Sequence, residues 1–173
     1  RDVAIRFNNR YGDTFVVPEP MIQEVGARIM ALDDPSSKMS KSNPNEFSKI
    51  TILDSPDRIK KSIMRATTDS ESEVRYDLIQ KPGISNLMSI YSLIDGTALK
   101  DIEKRYAGQG YGQFKKDLVE IVNNQLKPIQ DRYHEVLSSG EIIEILKAGA
   151  QHADVTANHV LDRVKDKVGF VRF

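Results

Sequence analysis

The chain has 173 residues, of which 39% are hydrophobic and 29% charged, and its 25 basic and 25 acidic side chains cancel. That balance excludes a disordered polyelectrolyte tail, so any affinity for nucleic acid must come from local patches. The lack of cysteine excludes a disulfide framework, a thiolate zinc site and a cysteine nucleophile.

The lack of cysteine fits the cytoplasmic protein that is expected, and no apolar run approaches the roughly 18 residues of a membrane span. The length suffices for one good core, or one core and part of another. Asp2 to Tyr11 place Val3, Ala4 and Phe7 on one helical stripe that ends at Gly12. The chain opens on Arg1 rather than Met, within that helical pattern, so an upstream portion is expected to be absent. Thr14 to Val17 read as a strand stopped by Pro18 and Pro20, and Ala27 to Leu32 as a second strand ending at Asp33-Asp34-Pro35. A helix and two short strands form no stable sheet alone, so they read as the end of a larger α/β domain.

Pro35 and Pro44 then bracket Lys38-Met39-Ser40-Lys41-Ser42, a stretch rich in Ser and Asn that cannot run as a helix or a central strand. Two ammonium groups three residues apart, among hydroxyls and free N–H groups, suit a polyphosphate: lysine is a compact charge on a flexible stem and can follow phosphate oxygens as their charge redistributes. A solvated loop with lysines for solubility is the alternative for any isolated pentapeptide of this kind. From Lys38 to Arg65 there are seven basic residues against three acidic ones, so the positive excess lies where phosphates would sit.

Beyond Ser48 the pattern is helical. Ser55-Pro56-Asp57 is a start signal, with Ser as N-cap and Pro at the first helical position, and Ile59, Ile63 and Met64 mark the apolar face. Residues 67–83 read as a polar loop. Leu87, Ile90, Tyr91 and Ile94 define the next helix, stopped by Asp95-Gly96, and Leu99, Ile102 and Tyr106 a short one from Thr97. Gly108 to Gly112 is a tight helix–helix turn rather than a dinucleotide loop, because no strand precedes it. A long helix follows through Phe114, Leu118, Val122, Ile129 and Val136, with Pro128 expected to kink it near Asn124 to Lys127. Ser138 and Glu141 suggest a capping box for a last helix reaching Val168. His134, His152 and His159 lie on predicted helices and offer no joint metal site.

The lysine loop and the apolar run before it resemble the signature of class I aminoacyl-tRNA synthetases. The string from Val25 to Ser42 resembles the tryptophanyl-tRNA synthetases of bacterial type. So do Arg75-Tyr76-Asp77, Lys81-Pro82-Gly83-Ile84-Ser85-Asn86-Leu87 and Gly110 to Lys115. The resemblance implies a mainly α chain: the C-terminal remnant of a Rossmann-type α/β domain over residues 1–47, then a helical anticodon-binding bundle over residues 48–173. It implies ATP-dependent activation of tryptophan and transfer to the cognate tRNA. Lys38 and Lys41 would stabilise phosphate charge, with Ser40, Ser42 and loop amides hydrogen-bonding phosphate oxygens. Ile29 and Met39 would lie near the adenine. Arg75 and Asp77 could read RNA, or could simply tie down their loop as an ion pair. ATP carries Mg2+ on its phosphates in this reading, no metal is held by the chain itself, and the intact protein is a homodimer. The family's other ATP signature and its tryptophan pocket have no counterpart here, so these 173 residues alone are expected to make no adenylate. A non-catalytic tRNA-binding module is the alternative.

Overall fold

The computed structural model describes residues 1–22 and 26–171; Val25, where the family-like string begins, lies outside them. The fold is mainly α. Six α-helices are present among the described residues: α1 (Asp2–Tyr11), α2 (Pro56–Arg65), α3 (Pro82–Asp95), α4 (Leu99–Arg105), α5 (Gly110–Ser139) and α6 (Ile142–Val168), with a 3-10 turn at Glu46–Ser48. The chain divides into two compact units, Arg1–Ile22 with Glu135–Phe173, and Gln23–His134.

The first unit carries α1 and α6, neither of which has a buried residue. Phe7 meets Tyr11 and Phe15 at ring separations of 4.8 and 5.0 Å. The strand expected at Thr14 to Val17 does not form. Its backbone is taken by a side chain instead: Asn8 Oδ1 accepts from the Thr14 and Phe15 N–H groups, and Asn8 Nδ2 donates to the Phe15 carbonyl.

The second unit holds the core, which runs from Leu32 to Val122. Ile59 and Ile63 of α2, Ile84, Leu87 and Met88 of α3, Ile102 of α4 and Phe114 and Leu118 of α5 are all buried. Each such side chain contributes about 1.5–3 kcal/mol by leaving water, so this unit carries most of the hydrophobic stabilisation. Tyr91, Tyr106 and Phe114 pack ring to ring at 5.1–6.0 Å, and the Tyr106 hydroxyl donates to Asp117 at 2.7 Å.

Helix signals in the sequence are largely realised. Ser55 accepts from the Arg58 N–H at the start of α2, and Gly96 ends α3 in the left-handed conformation at φ 75°. Helix α3 starts at Pro82, so the loop expected over 67–83 stops earlier, proline being suited to the first helical position. Helix α5 continues through Pro128 as one element. The capping box is not formed. Ser138 belongs to α5 and donates to the Glu135 carbonyl, while Ser139 accepts from the Glu141 N–H.

The second expected strand, Ala27 to Leu32, is also absent as a strand, leaving only an isolated antiparallel bridge between Met30 and Lys38. Its hydrogen bonds go to several different partners rather than to one neighbouring strand, which is what sheet assignment requires.

Candidate functional site

The lysine loop begins on the returning arm of a short hairpin-like segment, at the Met30–Lys38 bridge. Two bonds flank the Met30–Lys38 bridge: the Ala31 N–H donates to the Ser37 carbonyl at 2.8 Å and the Met39 N–H to the Ile29 carbonyl at 3.0 Å. Asp34 closes the turn by accepting from the hydroxyls of Ser36 and Ser37, both at 2.6 Å, and from the Ser36 N–H at 3.0 Å. These bonds, led by the Ser36 hydroxyl, hold the Asp34 carboxyl below its ordinary value. Asp33 takes the Asn45 side-chain amide at 2.5 Å. Both aspartates brace the segment around the loop.

Past the bridge, Ser40 and Ser42 share a 3.0 Å hydroxyl–hydroxyl bond and the Asn43 N–H returns to the Ser40 carbonyl at 3.2 Å. Lys49 donates to the Asn43 carbonyl at 2.7 Å. Thus the loop is tied at both ends while no hydrogen bond engages either lysine side chain among the described residues. Lys38 and Lys41 are exposed, and no ion pair engages either among the described residues. Ile29 and Met39 are brought together on the wall of one apolar cavity of about 270 Å³, with Ile50, Ile90, Ile94 and Leu126 completing much of it. An apolar cavity of this kind is suited to a flat ring; neither Lys38 nor Lys41 lines it.

Not every basic residue near the loop is available to a phosphate. Arg58 pairs with Glu46 at 2.9 Å, and the Arg58 and Arg65 guanidinium groups lie 4.5 and 4.3 Å from the Phe47 ring centre. With Lys49 also engaged, four of the seven cations between Lys38 and Arg65 remain exposed and without a bonded partner among the described residues: Lys38, Lys41, Lys60 and Lys61.

Arg75 and Asp77 form an ion pair at 2.8 Å. Asp77 also accepts from the N–H groups of Gln80 and Ile79, and its carboxyl is held below the ordinary value by the Gln80 N–H, Arg75 and the Ile79 N–H in that order. The pair therefore ties down its loop.

Three features escape sequence reasoning. Lys81 is buried, its ammonium 2.5 Å from Glu71, 3.2 Å from Asp69 and 3.0 Å from the Tyr111 hydroxyl. Burial pulls its pKa down, but the bonds to Glu71, Tyr111 and Asp69 outweigh burial and hold it above the ordinary lysine value. Asp69 shows the same contest: burial raises its pKa, and the Tyr111 hydroxyl, the Glu71 N–H and Lys81 together bring it below normal. Lys115 reads as a solvated cation that could follow an RNA backbone. It is buried instead, donating to the Ala66 carbonyl at 2.8 Å, and burial lowers its pKa. Asn86 is the third, and its signal was an amide in the middle of an apolar helix, a place where a polar group needs a partner. No group of three or more metal-ligating side chains is found among the described residues, and no described helix is long and apolar enough to cross a membrane.

The fold and this loop define a class. The family model for class I tRNA synthetases (W and Y) matches residues 1–127, and the chain belongs to that family. Among its relatives, the tryptophan–tRNA ligase of Bacillus subtilis is 50% identical over 172 residues, covering 99% of this chain and 52% of the relative. That of Caldanaerobacter subterraneus is 50% identical over 171 residues with the same shares. The crystal structure of tryptophanyl-tRNA synthetase from Mycoplasma pneumoniae superposes with a TM-score of 0.88 at 28% identity, over 99% of this chain and 52% of that one. The Campylobacter jejuni enzyme, complexed with ADP and tryptophan, gives 0.62 at 33% identity, over 98% of this chain and 52% of that one. The chain spans about half the length of the curated relatives it matches.

Proposed function

We propose that this chain is the C-terminal portion of an enzyme that activates tryptophan with ATP and transfers it to its tRNA. The observation that carries the reading is the lysine loop: Lys38 and Lys41 are exposed and unpaired among the described residues, on the segment that follows a turn closed by Asp34, and Met39 between them lines an apolar cavity with Ile29. In the activation step a tryptophan carboxylate oxygen attacks the α-phosphorus and the bond to the leaving pyrophosphate breaks. Lys38 and Lys41 take up the negative charge that grows on the departing phosphates, a task of positioning and charge stabilisation. Ser40 and Ser42 exchange their mutual hydroxyl bond for phosphate oxygens, and Ile29 and Met39 flank the adenine. ATP arrives with Mg2+ on its phosphates.

In this reading residues 1–47 complete a Rossmann-type domain and residues 48–173 form the anticodon-binding bundle, with Arg75 and Asp77 presented to the RNA on their tied loop. The intact enzyme works as a homodimer in the cytoplasm. The relatives named above, all tryptophan enzymes, favour tryptophan over tyrosine as substrate.

The test uses a full-length synthetase carrying this sequence. Lys41→Ala should slow tryptophan-dependent pyrophosphate exchange by about 3 kcal/mol of transition-state stabilisation, the scale of one oxyanion-type donor. A raised KM for ATP at unchanged kcat would count against the transition-state role. A full-length protein that binds tRNA but gives no exchange at all would leave only a non-catalytic RNA-binding module.

A further inference from the structure

Asn86 lies on α3 between Ser85 and Leu87 and is 5% exposed. Its carboxamide meets one residue twice: Oδ1 accepts from the Met30 N–H at 2.9 Å and Nδ2 donates to the Met30 carbonyl at 2.9 Å. An amide side chain has a donor and an acceptor in the arrangement of a peptide unit, so Asn86 gives Met30 both bonds that an adjacent strand would give. Met30 is the residue bridged to Lys38, and its neighbours Ile29 and Ala31 hold Met39 and Ser37. Helix α3 therefore fixes residue 30, and residues 29 to 31 fix the base of the lysine loop.

A second strut lies two residues on. The Thr67 N–H donates to the Leu32 carbonyl at 2.7 Å and its hydroxyl to the Asp33 carbonyl at 2.7 Å. The preceding carbonyl, of Ala66, receives the buried Lys115 ammonium from α5. Gly83 lets α3 approach this strut: a Cβ there would stand 2.1 Å from the Thr67 oxygen. Two helices of the second unit thus reach the loop base through three side chains.

We propose that Asn86 is a positioning residue for the lysine loop: held by α3, its carboxamide sets where the Ile29–Leu32 backbone lies and hence where Lys38 and Lys41 meet the phosphates. The proposal rests on the reading of those lysines as phosphate-binding. Asn86 touches no substrate in this scheme; it acts through Met30, and a shift of α3 is transmitted to the loop.

The experiment compares Asn86→Ala and Asn86→Asp with the unsubstituted full-length synthetase. Alanine removes both bonds; aspartate keeps an acceptor for the Met30 N–H but sets a carboxylate oxygen against the Met30 carbonyl. Both variants should lower kcat for tryptophan-dependent pyrophosphate exchange about tenfold or more, as misplacement of a positioned group does, with KM for tryptophan within about twofold. In the same samples, amide hydrogen exchange of residues 28–42 should quicken while residues 112–122 of α5 keep their protection. Unchanged kinetics, or unchanged exchange in 28–42, overturns the proposal. Should neither variant fold, the unsubstituted protein still decides: a Met30 amide that exchanges as fast as an exposed one overturns the tether. If the unsubstituted enzyme shows no tryptophan-dependent activity, the functional reading falls, and hydrogen exchange alone judges the tether.

Discussion

At the scale of single residues, the chemistry of this chain depends on which polar groups are already engaged. Lys38 and Lys41 carry charges that no carboxylate neutralises among the described residues, whereas Lys81 and Lys115 are engaged in the interior and Arg58 is paired with Glu46 at the surface. The free pair was legible in the sequence because the signal is local, five residues between two prolines. The engaged ones were not, because their partners lie far along the chain; Asn86 and Met30 are 56 residues apart. Gly83 is the residue whose substitution best separates local preference from packing. Helix propensity alone favours alanine over glycine by about 1 kcal/mol. The 2.1 Å approach to the Thr67 oxygen is to backbone, which cannot swing aside, so Gly83→Ala should instead destabilise by about 2–3 kcal/mol. A fall in the urea midpoint at constant m-value is the expected reading, and a rise would show that the close approach is relaxed.

Among the elements, α2 to α5 were readable because each has a stripe or a start or stop residue of its own: Ser55-Pro56 for α2, Gly96 for the end of α3, Gly108 to Gly112 for the turn into α5. The two expected strands failed for a shared reason. A strand exists only with a neighbour, and in both segments an asparagine side chain, Asn8 or Asn86, takes the backbone groups that a neighbour would. The start of α3 shows what else was invisible. Lys81 gathers Asp69, Glu71 and Tyr111 and so ties the 69–71 loop to the head of α3 and the first turn of α5. Glu71 is 66% exposed, so water screens that side of the cluster and the loss of the ammonium falls short of the 3–5 kcal/mol of a fully buried pair. Lys81→Met should lower stability by about 1–2 kcal/mol and speed exchange of the 67–77 amides, with α4 unaffected. Thermal or urea denaturation beside site-resolved exchange checks both parts.

Across the whole molecule, stability should follow the titration of these groups. Asp34, Asp69 and Asp77 have folded pKa values below their unfolded ones, so their contribution is full above about pH 5 and is lost as pH falls through the folded values. Lys81 is shifted up, so its contribution is full below about pH 10, the unfolded lysine value, and lost only as pH rises through the folded one. Lys115 is shifted down, and stability should rise as pH climbs from its folded value toward the unfolded one. Urea midpoints should therefore fall steeply from pH 5 to pH 2, about where unfolded carboxylates titrate. Asp69→Asn should flatten part of that slope. The buried side chains are also unevenly shared: the core lies between Leu32 and Val122, and α6 has no buried residue. Amides of α6 should accordingly exchange well ahead of those in α3, as regions with few buried apolar contacts do. The largely engaged backbone of Ile29 to Leu32 has a consequence of another kind. An apolar, strand-prone run with open rungs recruits other chains into aggregates. Here the Met30 amide and carbonyl, the Ala31 and Leu32 amides and the Leu32 carbonyl are all occupied from within, so the run offers few rungs to foreign strands. Uncapping Met30 by Asn86→Ala should make the protein turbid at a lower temperature, a loss of colloidal safety that light scattering would record before the helices melt.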